Sequence, residues 1–142
     1  MNKTLLLITL PISSFLIGVT SSIVAVAGTM EARYLECFFF RNGQLEITQN
    51  CTVSGTSWAG GGFTLLQWDD GTTTRIAFGL QGRGERPCPQ LSVDDVCGEF
   101  GYRDPVTFQP LSDAELNRRR QNNLPVVQCA NVNNDSICWR SR

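Results

Sequence analysis

Four carboxylates fall close together in this chain: Asp94, Asp95, Glu99 and Asp104. Oxygen ligands grouped on a loop are what calcium takes, and two acids held across a cleft are all that glycoside hydrolysis needs. The spacing does not fit a regular calcium-binding loop, and nothing in the order of these acids sets two of them across a cleft. Solvated acids on a cystine-clamped loop are the plainer expectation, with calcium ligation the alternative. No cofactor is expected, and no catalytic residue is assigned.

Other chemistries are closed by composition. There is no histidine, and the one lysine is Lys3. Serine and cysteine nucleophiles depend on a histidine or lysine base, Schiff-base chemistry on a lysine amine, and hydrolytic zinc sites on imidazole. The six cysteines, Cys37, Cys51, Cys88, Cys97, Cys129 and Cys138, show no zinc-ligand spacing and are expected to pair as three disulfides. Thirteen acids oppose twelve bases for a net charge of −1, so no nucleic-acid partner is expected.

The cysteine reading depends on the first segment. Lys3, the apolar stretch Leu5 to Ile17 and the small residues Ala25-Val26-Ala27 are laid out as a cleaved secretory signal peptide. Residues 1–27 are therefore expected to leave, with the mature chain starting near Gly28 in the periplasm or outside the cell. A membrane association is expected only through an uncleaved leader. Residues 28–142 form one domain, in which each disulfide contributes about 3 kcal/mol in the chain-entropy model.

The elements that must position these residues have a dominant period of two, interrupted by glycine and asparagine, which predicts short antiparallel strands. An all-β fold is expected: a small sandwich or partly open barrel of six to seven strands with one short helix. The first hairpin turns at Asn42-Gly43. The second turns at Asp70-Gly71, and a two-residue turn there sets Leu65 opposite Ile76 and Phe63 opposite Phe78. Between them, Gly55 to Gly62 reads as an irregular crossing because of its glycines. Cys88 to Asp104 reads as irregular, Pro105 to Pro110 as a short edge strand, and Ser112 to Glu115 as a capping box that opens a helix ending in Arg118-Arg119-Arg120.

The last hairpin carries the sharpest structural expectation. A turn at Asn133-Asn134 places Cys129 opposite Cys138 in a non-hydrogen-bonded pair, where α-carbons about 4.5 Å apart allow a disulfide. Cys88 would pair with Cys97 across a short loop. Cys37 would face Cys51 only if the first hairpin has a loop longer than two residues.

Function is expected to be binding: an exported, non-catalytic binding or inhibitory domain whose Gly55–Gly62 and Gly79–Gly101 loops meet a protein or glycan partner. Trp58 is expected to be the exposed aromatic contact, with Tyr102 second. An envelope structural component and a small carboxylate-dependent glycosidase are the alternatives.

Overall fold

The structure, a computed structural model, describes residues 27–82 and 84–140; the expected leader lies outside the described residues as far as residue 26. Eight strands follow one another: β1 (Gly28–Arg41), β2 (Gln44–Trp58), β3 (Gly61–Trp68), β4 (Thr73–Gly79), β5 (Leu91–Val93), β6 (Val96–Arg103), β7 (Val127–Val132) and β8 (Asp135–Arg140). Among the described residues a single helix, α1 (Asp113–Gln121), stands between β6 and β7. Each strand pairs antiparallel with the next, and β8 returns to β1 with Glu36 opposite Arg140 and Phe40 opposite Ser136, so the sheet closes as an up-and-down barrel. The all-β expectation with one short helix holds. The strand count rises to eight and the barrel is closed, because β1 is long enough to pair on both sides and closure leaves no sheet edge.

Two added strands come from the segment read as irregular. Asp94 and Asp95 both take left-handed backbone (φ 45° and 71°) and form a two-residue turn joining β5 to β6. Aspartate tolerates that region better than most residues. Gly55–Gly62 is likewise not a crossing: β2 runs on to Trp58, turns at Ala59-Gly60, and β3 begins at Gly61. A Cβ on Gly55 would lie 2.6 Å from the Phe63 carbonyl oxygen, and one on Gly62 would lie 2.7 Å from the Thr56 carbonyl oxygen. These glycines let backbones approach inside a ladder, which outweighs their entropic penalty.

The hairpins show how a register is set. The Asn133-Asn134 turn carries no irregularity, so Cys129 sits opposite Cys138 with α-carbons 4.0 Å apart, as its position requires. In the second hairpin the expected register is off by one: Leu65 faces Arg75 and Phe63 faces Ala77. The loop is three residues, Asp69 to Gly71, closed by Gly71 N–H donating to Trp68 O at 2.9 Å and by left-handed Gly71 (φ 84°). Asp70 Oδ1 accepts from Thr72 N–H at 2.8 Å and from Thr72 Oγ1–H at 2.6 Å, which favours the longer loop over a two-residue turn.

In the first hairpin the turn is two residues after all, and Cys37 bonds Cys51 without facing it. Phe40 pairs with Leu45 but Phe39 with Ile47, so Glu46 is an extra residue. That bulge sets Cys37 opposite Gln49 and moves Cys51 to the same face two residues on, with α-carbons 5.8 Å apart. Cys88 pairs with Cys97 as expected, and no cysteine among the described residues is free. Three disulfides suit a chain that folds in an oxidising environment.

Apolar side chains form two layers. The barrel interior holds Cys37, Cys51, Val53, Leu66, Trp68, Ile76, Leu91, Val93 and Ala130, all buried. A second cluster of Phe38, Phe40, Val127 and the Cys129–Cys138 bond lies on the other face of β1, β7 and β8, covered by Phe108. Phe108 comes from the stretch expected to be an edge strand. Asp104 Oδ1 instead accepts from the N–H groups of Val106 and Thr107, both at 2.8 Å, and bends the chain into a turn.

Ser112 caps α1 as expected, its Oγ accepting from Glu115 N–H at 3.3 Å. The Glu115 carboxylate takes Arg118 at 2.8 Å and Arg119 at 3.0 Å, and Arg119 also pairs with Asp104. The Thr107 and Val106 amides, with Arg119 beside them, hold the Asp104 carboxyl below its ordinary value; Arg118 and Arg119 do the same for Glu115. Folded-state values below the unfolded ones mean that the unfolded chain binds more protons near those values, so stability falls as pH drops through them. With no histidine, the urea midpoint should stay flat between about pH 5 and 8 and fall below about pH 4. Asp104→Asn should flatten that acid limb, and an unchanged limb would remove Asp104 from the account.

Candidate functional site

An antiparallel meander puts alternate connections at opposite ends of the barrel. The links after β1, β3, β5 and β7 are all tight turns and share one end. Trp68 plugs that end from within; it is buried and its Nε1–H donates to Thr74 Oγ1 at 3.0 Å. The other end carries the Ala59-Gly60 turn, the β4–β5 loop, the β6–β7 excursion with α1, and the start of β1 and finish of β8.

That long-loop end opens into a cavity of about 630 Å³. Its inner wall is apolar, formed by Leu35, Val53, Ile76, Phe78 and Trp139, with Thr64 and Gln128 as polar points. The lip carries Met30, Phe100, Tyr102, Arg33 and Arg120. No acid lines it among the described residues. Eight strands enclose an interior wide enough either to be filled by side chains or to hold one small ligand. Here side chains fill the short-turn half and leave the other half open.

Local backbone devices aim the lip. Met30 pairs with Gly55 and Arg33 with Val53, so β1 carries one extra residue between them. Strict alternation would put residues 30 and 33 on opposite faces; the bulge turns both toward the mouth. Arg120, at the end of α1, lies over the Tyr102 ring with its guanidinium carbon 4.9 Å from the centroid. The third arginine on the cavity wall, Arg140, is already engaged: it pairs with Glu36 at 2.7 Å and donates to Pro105 O at 2.7 Å.

The residues singled out from sequence distribute unevenly. Tyr102 lines the cavity. Trp58 lies at the same end but outside the cavity, half-buried, its Nε1–H donating to Leu80 O at 2.8 Å and its ring beside Phe63. Tyr34, 82% exposed, is the most open aromatic side chain among the described residues, a place expected for Trp58. The four acids are not brought together. Asp94 belongs to the β5–β6 turn, with its Oδ1 accepting from Arg75 N–H at 2.9 Å, whereas Asp104 is committed to Arg119. Among the described residues no group of three or more histidine, cysteine or acidic side chains is placed to hold a metal ion.

Arg33 and the apolar wall were not singled out from sequence, although the alternation Arg33, Leu35, Cys37, Phe39 along one face was available as a signal. What the fold and the site define is an eight-stranded up-and-down barrel, open at one end into an apolar cavity with a basic lip. The chain matches no protein family, and no curated protein or solved structure is significantly similar to it, so function is read from the site's own residues.

Proposed function

We propose that this is an exported, disulfide-stabilised, non-catalytic binding domain that takes a small molecule into the open end of its barrel. One observation carries the proposal: an apolar-walled cavity of about 630 Å³ with a few polar groups at one end, which is the size and make-up of small-molecule sites. Export is supported by the leader-like segment and by the paired cysteines. A non-catalytic role is supported by the missing histidine and by a cavity wall with no carboxylate among the described residues, where glycoside hydrolysis would need two.

A protein or glycan partner is the second reading. It is favoured by exposed apolar side chains in the β6–β7 excursion, Val106 (82% exposed) and Leu124 (47%).

The two readings separate in one experiment. Trp139 is in the cavity wall, so its fluorescence should respond saturably to members of a small-molecule library. Thr64→Trp, which fills the cavity, and Met30→Trp, which narrows its lip, should each remove the response. Undiminished capture by folded samples of both variants would move the site out of the barrel.

A further inference from the structure

We infer that the molecule held here is a small amphipathic carboxylate, its apolar body against Leu35, Val53, Ile76 and Phe78 and its anionic head at the lip between Arg33 and Arg120; this rests on the binding function proposed above.

The charge arrangement carries the inference. The chain as a whole is slightly acidic, with a net charge of −1, yet the cavity is lined by arginines and by no acid among the described residues. The run Arg118-Arg119-Arg120 sorts itself in the fold. Arg118 is taken by Glu115, and Arg119 is taken by Asp104 and Glu115. Arg120 makes no ion pair among the described residues and stands at the cavity lip over Tyr102. On β1, Glu36 is taken by Arg140, whereas Arg33 has no ion pair among the described residues and is set at the mouth by the bulge after Met30. Two guanidinium groups with no ion pair among the described residues thus line an otherwise largely apolar hole.

Guanidinium is planar, always charged, and matched to carboxylate by two parallel hydrogen bonds. A cationic ligand would meet two positive charges with no counter-charge. A neutral apolar ligand would leave both arginines unused. A polyanion such as a nucleotide would need more cations than two and would leave the apolar wall without a partner. A single carboxylate on an apolar body satisfies both parts of the site together. Gln128 and Thr64 offer further polar contacts on the wall.

Calorimetric titration of the exported protein with submicellar decanoate, decanol and decylamine tests this. Decanoate should bind at least about tenfold tighter than decanol, as expected for one charge-assisted hydrogen bond gained, and decylamine weakest of the three. Arg33→Gln and Arg120→Gln should each weaken decanoate about tenfold and leave decanol unchanged. Equal affinity for decanoate and decanol, or decanoate binding indifferent to both substitutions, would overturn the carboxylate assignment while leaving the cavity as a binding site. Failure of all three ligands in a protein that still captures library compounds sensitive to Thr64→Trp would also overturn the assignment alone. Loss of every Thr64→Trp-sensitive response would instead take away the binding function itself.

Discussion

Gly79→Ala should destabilise the barrel by about 4 kcal/mol or more, while Gly71→Ala should cost about 1. Both glycines have left-handed backbone, with φ of 66° and 84°, so the conformational penalty for a Cβ is similar at the two sites. Their surroundings differ. Nothing lies within 4 Å of a Cβ built on Gly71, which is at a turn tip. A Cβ on Gly79 would run into the Gly60 carbonyl oxygen and would lie 2.9 Å from the α-carbon of Gly61. Both obstacles are backbone and cannot rotate aside. Gly79 pairs with Gly61 at the end of the β3–β4 ladder, and the next residue, Leu80, donates its N–H to Gly60 O at 2.8 Å. Relieving the clash would therefore pull the β2–β3 turn away from the β4–β5 loop at the corner that frames the open end. Urea unfolding of the two variants, disulfides intact, measures the difference. Equal losses would mean that the corner has room, and that only the backbone conformation matters.

The same corner shows what can and cannot be read from residue order. Four glycines between Gly55 and Gly62 signal a departure from ordinary strand, but the signal is identical for a flexible crossing and for strands drawn too close for side chains. Which of them obtains depends on Phe63, Phe78 and Leu80, residues brought there by pairing. Register behaves similarly. The Asn133-Asn134 hairpin was legible because its turn is two residues and no bulge follows, so counting outward reaches the disulfide correctly. The first hairpin obeys the same turn rule, yet Glu46 adds one residue and reverses the face of everything beyond it. No local feature of Leu45-Glu46-Ile47 announces that insertion. In the sequence Asp94-Asp95 stands out by its charge, whereas in the fold its left-handed backbone makes the β5–β6 turn.

The cavity was less legible still. Arg33 of β1 and Arg120 of the helix both line it, and that they share one cavity follows only from closing the barrel. The triple arginine was visible in sequence as the basic end of a helix, which it is. That two of its members would be claimed by Glu115 and Asp104, leaving Arg120 for the mouth, depends on where the Asp104 turn folds back.

Removing the Cys37–Cys51 bond as Cys37→Ala/Cys51→Ala should cost about 5 kcal/mol, against about 3 for Cys88→Ala/Cys97→Ala. The chain-entropy contribution hardly separates them: sequence separations of 14 and 9 correspond to about 3 kcal/mol each. Burial does. Cys37 and Cys51 are 0% and 1% exposed inside the barrel, packed with Val53, Leu66 and Trp68, whereas the other bond joins a buried Cys88 to a Cys97 exposed at the surface. Truncating both interior sulfurs leaves a void that rigid strands on every side resist filling, which adds about 2 kcal/mol. The bond also spans the Glu46 bulge, tying β1 to β2 beyond the irregularity where a slip of one residue would exchange the barrel's inner and outer faces. Its loss should accordingly broaden the unfolding transition as well as lower its midpoint, an effect not expected at Cys88–Cys97, which closes a loop outside the long ladders. Equal destabilisation of the two double variants, with equally sharp transitions, would show that these bonds act through the unfolded chain alone and that the interior disulfide holds no register.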